Sequence, residues 1–150
     1  MRISALIIDD SRLMRRMLIR TLRKSRLAEF RFVEAATESD ALALCDPAHT
    51  DVVFVDAHMP SDDGIRAAGH LRAMVPHIPL VLVVSEATDG ALLPSWDACL
   101  AKPFTVDGVR ETLGPLVAEI ARLRDSHPNA RPLPGVGGSN APREEERPPT

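Results

Sequence analysis

The chain has 150 residues, 45% of them hydrophobic and 26% charged, with a formal net charge of −3. That composition suits one ordinary globular domain with a real core, and its acidic balance argues against broad nucleic-acid binding while leaving room for a local basic patch. Cys45 and Cys99 have neither metal-site nor Cys-x-x-Cys spacing, and the first apolar run is too short for a signal or membrane segment, so the sequence predicts a cytoplasmic protein with reduced thiols.

Apolar, β-branched runs at Ile3–Ile8, Phe30–Val33, Val52–Val55 and Leu80–Val84 predict strands, with Ala98–Ala101 a weaker fifth. Helical patterns separate most of them. Ser11–Lys24 sets Met14, Met17, Leu18 and Leu22 on one face. Thr37-Glu38-Ser39-Asp40 resembles a capping box that opens a helix ending before Asp46-Pro47. Gly64–Val75 aligns Ile65, Ala68 and Leu71. Thr105–Arg124 spaces Val109, Leu113, Leu116, Val117, Ile120 and Leu123 for burial, with Pro115 expected to kink it or reset its start. Between Ser85 and Lys102, Thr88, Asp89, Gly90 and Pro94 suit turns better than a full helix, so a shortened fourth helix is expected. From Ser126 to Thr150 six prolines and three glycines accompany only two large apolar residues; this reads as a disordered tail, with a Pro-rich ligand as the alternative. The domain is therefore residues 1–125 and the tail 126–150.

Strands alternating with helices imply a parallel sheet covered on both faces, and right-handed crossovers leave chiefly doubly wound arrangements. Five units suit the strand order 2-1-3-4-5 of flavodoxin-like α/β folds, whose ligands sit beyond the carboxyl ends of strands 1 and 3. The residues following each strand are then informative. Strand 1 ends at Asp9-Asp10, strand 3 at Asp56, strand 4 at Ser85 and strand 5 at Lys102, while strand 2 ends blandly in Ala35-Ala36. Three converging carboxylates repel one another, and a hard divalent cation such as Mg²⁺ relieves that repulsion. With an ammonium and a hydroxyl beside them, they are the parts needed to stabilise a phosphoryl group in transfer, and a carboxylate is a competent nucleophile for it. Each residue also has an ordinary reading: Asp9 or Asp10 as a helix cap, Asp56 as a loop acceptor, Ser85 and Lys102 as solvated groups. Their joint arrival at one sheet edge favours the site.

Ile7-Ile8-Asp9-Asp10-Ser11, Asp56 with Met59-Pro60 and Gly64, Ser85, and Lys102-Pro103-Phe104 together resemble the receiver domain of two-component response regulators over about residues 1–125. The segment Asp10–Arg16 is similar to single-domain chemotaxis regulators, a stock example of this fold. The resemblance implies that a histidine kinase or phosphotransfer protein phosphorylates Asp56. It implies that Asp10, Asp56 and the backbone carbonyl of His58 hold Mg²⁺, with Asp9 assisting through water. Lys102 would contact the phosphoryl oxygens, Ser85 would occupy the switch Ser/Thr position, and the Lys102–Pro103 bond would be cis. The imidazole of His58 is a poor Mg²⁺ ligand and is set aside.

Two departures bear on output. Cys99 stands where the family usually has Tyr or Phe, and the Ser85–Lys102 gap is shorter by more than a helical turn. Phosphorylation chemistry is expected to be intact, with altered signalling to the 4-5 face, the abbreviated surface that receivers commonly use to dimerise or meet partners. Along the first helix, Arg12, Arg16 and Arg20 form a stripe with no acid between residues 12 and 26. It reads either as a solvated basic face or as a docking surface for an acidic kinase or phosphotransfer partner. The expected function is a stand-alone receiver, monomeric or weakly dimeric, that binds an unknown downstream protein or relays phosphate. It binds no nucleic acid or membrane and is a phosphoacceptor rather than a turnover enzyme. A receiver-like interaction module that is never phosphorylated, and a Mg²⁺-dependent aspartyl-phosphate phosphatase, are the alternatives.

Overall fold

A computed structural model describes residues 1–59, 64–85 and 96–126. Their order is β1 (Arg2–Ile8), α1 (Arg12–Ser25), β2 (Glu29–Ala35), α2 (Glu38–Leu44), β3 (Val52–Asp56), α3 (Gly64–Met74), β4 (Leu80–Val84), β5 (Ala98–Ala101) and α4 (Val106–Ser126). The strands form one sheet in the order β2-β1-β3-β4-β5, every pairing parallel. This is the doubly wound α/β architecture that the alternating pattern predicts. The connection carrying the expected short fourth helix, residues 86–95, and the expected tail from residue 127 onward lie outside the described residues; Ser126 is the last residue of α4.

Burial explains why the central strands read as unbroken apolar runs. All five residues of β3 and all five of β4 are buried, because helices cover both faces. One face packs Leu6, Ile8, Val53 and Val55 against Ala67, Ala68 and Leu71 of α3. The other packs Ile3, Ile7, Phe54 and Val81 against Leu18 and Leu22 of α1 and Val109 and Leu113 of α4. Local caps fix the helix starts: Ser11 Oγ accepts from the Met14 N–H at 3.2 Å and Thr37 Oγ1 from the Asp40 N–H at 3.1 Å.

Several periodicity expectations shift. Met17, Ile65 and Leu123 are exposed (41%, 38% and 50%) because each lies at the margin of its helix's apolar stripe, with α1, α3 and α4 turned slightly away. Ala67 takes a buried place that the pattern did not give it. Pro115 lies inside α4, which is continuous across it. Both Pro115 and Glu111, whose carbonyl loses its N–H partner, are exposed residues, a setting in which solvent can take the place of the missing donor. α1 ends on Arg26 in the left-handed region (φ 55), a stop usually made by glycine. Arg110 Nε donates to the Ser25 carbonyl at 3.0 Å and ties that end to α4.

Candidate functional site

Parallel strands deliver their last residues to a common edge, and that geometry assembles the site. Asp9 follows β1 and Asp56 closes β3; both are buried, at 5% and 4% exposure, while Asp10 beside them is exposed. One carboxylate oxygen from each of Asp9, Asp10 and Asp56 lies within 4.8 Å of the others. Lys102, just past β5, brings its Nζ to 3.4 Å from Asp56 Oδ2 and 3.9 Å from Asp9 Oδ2. Four of the residues singled out in the sequence thus meet in one cleft, and the Lys102–Pro103 peptide is cis.

The other positions fall around this centre. Ser85 directly follows β4 and is exposed. His58 is exposed, and its backbone N–H donates to Asp56 Oδ1 at 3.1 Å. Asp56 therefore also makes the ordinary loop contact foreseen for it. Asp9 does likewise, its Oδ1 accepting from the Ser11 N–H at 2.9 Å, whereas the helix cap itself is Ser11. Cys99, on β5 opposite Leu82, packs against the cluster of Ala57, Leu82 and Val84, as Trp96 also does. Burial pushes its thiol pKa up, as it does that of Cys45, so neither is an activated nucleophile. Pro60 and the next three residues lie outside the described residues.

Electrostatics sets the character of the cleft. Burial pushes Asp9 up to about 6, the charges of Asp56 and Asp10 add to the rise, and the Ser11 N–H and Lys102 oppose it. The donor set is hard oxygen with surplus negative charge, which fits a small divalent cation. The sign for stability follows. Between pH 3.8 and about 6 the folded protein holds on Asp9 a proton that the unfolded chain releases, so this group's contribution to stability falls as pH rises through that window. Above it the full penalty, on the order of 3 kcal/mol, is present in the metal-free protein. Asp9→Asn should raise the metal-free melting temperature at neutral pH by several degrees and flatten its decline between pH 4 and 6. The same variant should weaken the stabilisation that added Mg²⁺ gives; thermal melts across pH with and without the ion check both.

Two residues quoted in the resemblance turn out to have roles at the site that the sequence did not assign them. Gly64 opens α3 against the main chain of Asp56: a Cβ there would lie 1.7 Å from the Asp56 carbonyl oxygen. In the sequence Gly64 stands only as a member of the motif that carries the resemblance; a helix that begins on glycine is the physical hint of a close approach. Arg15 donates from Nη1 to the Asp9 carbonyl at 2.6 Å and pairs through Nε with Glu34 at 3.1 Å, bracing the β1 end from α1.

The family model described as the response regulator receiver domain matches residues 5–113. The chain belongs to that family. Sensor histidine kinase RcsC of Escherichia coli K12 is 30% identical over 125 residues, spanning 81% of this chain and 13% of the kinase. A protein-glutamate methylesterase/protein-glutamine glutaminase of Halalkalibacterium halodurans is 30% identical over 125 residues, spanning 83% of the chain and 34% of that protein. The receiver chain thus matches only a part of these longer relatives. Among solved structures, the Vibrio cholerae chemotaxis protein CheY4 superposes with a TM-score of 0.64 at 24% identity, covering 77% of this chain and 98% of that one. The response regulator TrrA of Thermotoga maritima, in complex with Mg²⁺ and BeF, gives 0.64 at 22% identity, covering 79% and 98%. Both likenesses are of the receiver fold. No helix among the described residues is long and apolar enough to cross a membrane.

Proposed function

We propose that this receiver accepts a phosphoryl group on Asp56 from a histidine kinase or phosphotransfer protein in a Mg²⁺-dependent reaction, and signals through phosphorylation-dependent partner binding or phosphate relay. The observation that carries the reading is the buried Asp56 carboxylate at the end of the central strand, between two further aspartates and the Lys102 ammonium. An Asp56 carboxylate oxygen attacks the phosphorus of a phosphohistidine, an O–P bond forms as the N–P bond breaks, and the imidazole leaves with the bonding pair. Lys102 is within reach to meet the phosphoryl oxygens, and its charge offsets theirs. Asp10, Asp56 and the His58 carbonyl would hold the Mg²⁺, with Asp9 through water; the ion supplies charge neutralisation at the transferring group. Its fit is supported by the clustered oxygens and by TrrA, whose structure holds Mg²⁺ with BeF on the same fold.

The test is incubation with Mg²⁺ and acetyl phosphate followed by intact mass: an acid-labile adduct supports the reading, and its absence leaves a receiver fold used only for binding. In the phosphorylated state Ser85 would take the reporter hydroxyl's place. Cys99, packed against the cluster of Ala57, Leu82 and Val84, would take the place of an aromatic reporter. The protein is read as a phosphoacceptor in the cytoplasm, without turnover of its own.

Along α1, Arg12, Arg16 and Arg20 are all exposed. Arg12 is the first residue of the helix, on the side of the acidic cluster, and is the position of the three best placed to meet a kinase or phosphotransfer partner. Arg12→Glu should slow phosphotransfer from the cognate kinase several-fold. Phosphorylation by acetyl phosphate should keep its rate; equal loss with both donors would rule out docking.

A further inference from the structure

A groove of about 800 Å³ opens between α1 and the edge strand β2, and no residue of the acidic cluster lines it. Its floor is Ile19, Phe30 and Phe32, the two rings stacked with centroids 5.8 Å apart. Its rim is basic: Arg16, Arg20, Arg23 and Lys24 from α1, and Arg31 from β2. Arg23 lies over the Phe32 ring at 5.3 Å. Among the described residues, Arg16, Arg20, Lys24 and Arg31 have no carboxylate partner. The one acid in the lining, Glu34, is already matched by Arg15.

The backbone of β2 supplies the second half of the surface. The Glu29 N–H donates to the Met1 carbonyl, and the Ala35 carbonyl accepts from the Asp9 N–H. Bonding to β1 therefore falls on residues 29, 31, 33 and 35. By the alternation of a parallel ladder, the N–H and C=O groups of Phe30, Phe32 and Glu34 point away from the sheet, where β2 is the terminal strand. These are also residues whose side chains line the groove. One strip of surface thus offers a free edge of alternating donors and acceptors beside a row of unmatched cations.

We propose that this strip docks an extended acidic segment of a partner protein, which adds to the β2 edge as a further strand and lays its carboxylates against the α1 cations. Charges on an edge also keep sheets from self-associating. That repulsion makes a second copy of this chain the wrong occupant, since its β2 edge carries the same cations. A nucleic acid would use the cations but has no counterpart to the edge's alternating donors and acceptors, and the chain's net charge of −3 works against it.

The probe is a fluorescent peptide alternating Glu and Thr, titrated with the full chain without any phosphodonor, so that Asp56 reactivity does not enter. Anisotropy should report binding that weakens with salt and falls about tenfold in Lys24→Glu/Arg31→Glu. An unchanged melting temperature in that variant keeps the loss from being one of folding. Two peptides N-methylated at alternate residues, in opposite phase, separate strand addition from charge attraction: one should fail to bind and the other should bind normally. The proposal is overturned by absence of peptide binding, by equal behaviour of the two methylated peptides, or by tighter binding of single-stranded DNA.

Discussion

Asp56→Asn should abolish the acid-labile adduct, because an uncharged amide, its nitrogen lone pair delocalised into the carbonyl, is too weak a nucleophile to attack phosphorus. The wild-type chain, given Mg²⁺ and acetyl phosphate, should show the adduct by intact mass and as a retarded band on a phosphate-affinity gel. The substitution is nearly isosteric, and Lys102 keeps Asp9 at 3.9 Å as a remaining anionic neighbour, so the fold should survive. It also removes one of the charges that raise Asp9. The variant should therefore bind Mg²⁺ less tightly while melting no lower than the wild type in metal-free buffer. An adduct of equal yield in Asp56→Asn would place the chemistry on another residue and sink the reading of this cleft.

Gly64→Ala should do more damage than adding a methyl group at any other glycine of the described residues. The added carbon would stand 1.7 Å from the Asp56 carbonyl oxygen and 2.8 Å from its carbonyl carbon, so main chain must move on one side or the other. Overpacking against rigid backbone costs about 1–3 kcal/mol or more. The movement falls on the phosphoacceptor itself, and a misplacement of this size lowers rates on the order of a hundredfold. The expected result is a lower melting temperature together with at least a tenfold slower reaction with acetyl phosphate. Gly69→Ala is the control: nothing lies within 4 Å of a Cβ at that exposed helical position. It should leave the reaction untouched and stabilise the fold by about 0.5–1 kcal/mol through helix propensity. Equal behaviour of the two variants would remove the steric argument for Gly64.

Much of this was readable because the decisive features are local or periodic. The β3 run Val52–Val55 can be buried on both faces only in a sheet covered by helices, and it ends on Asp56. Thr37 announces its helix by chemistry that acts within three residues, whereas α1 is capped by Ser11 and not by Asp9 or Asp10, the caps the sequence offered. Legibility fails where a residue's surroundings come from distant chain. Arg26 stops α1 without the usual glycine, at a helix end that Arg110 of α4 holds through the Ser25 carbonyl, 85 residues away. Met17 and Leu123 carry the right spacing yet face water, since spacing fixes a helix's stripe and not how far its neighbours extend.

What the sequence determined by itself, then, is the alternation of elements, the parallel sheet that follows from it, and the placing of Asp9, Asp10, Asp56 and Lys102 at strand ends. Hydrophobic period and strand termination are properties of consecutive residues. Only the tertiary structure decided that Lys102 lies nearer Asp56 than Asp9, that burial lifts Asp9 to about 6, and that Gly64 must lack a side chain. It alone set unmatched α1 cations beside the open edge of β2. Those are facts of distance and desolvation between segments far apart in the chain, and they exist only once the sheet has brought its strands together.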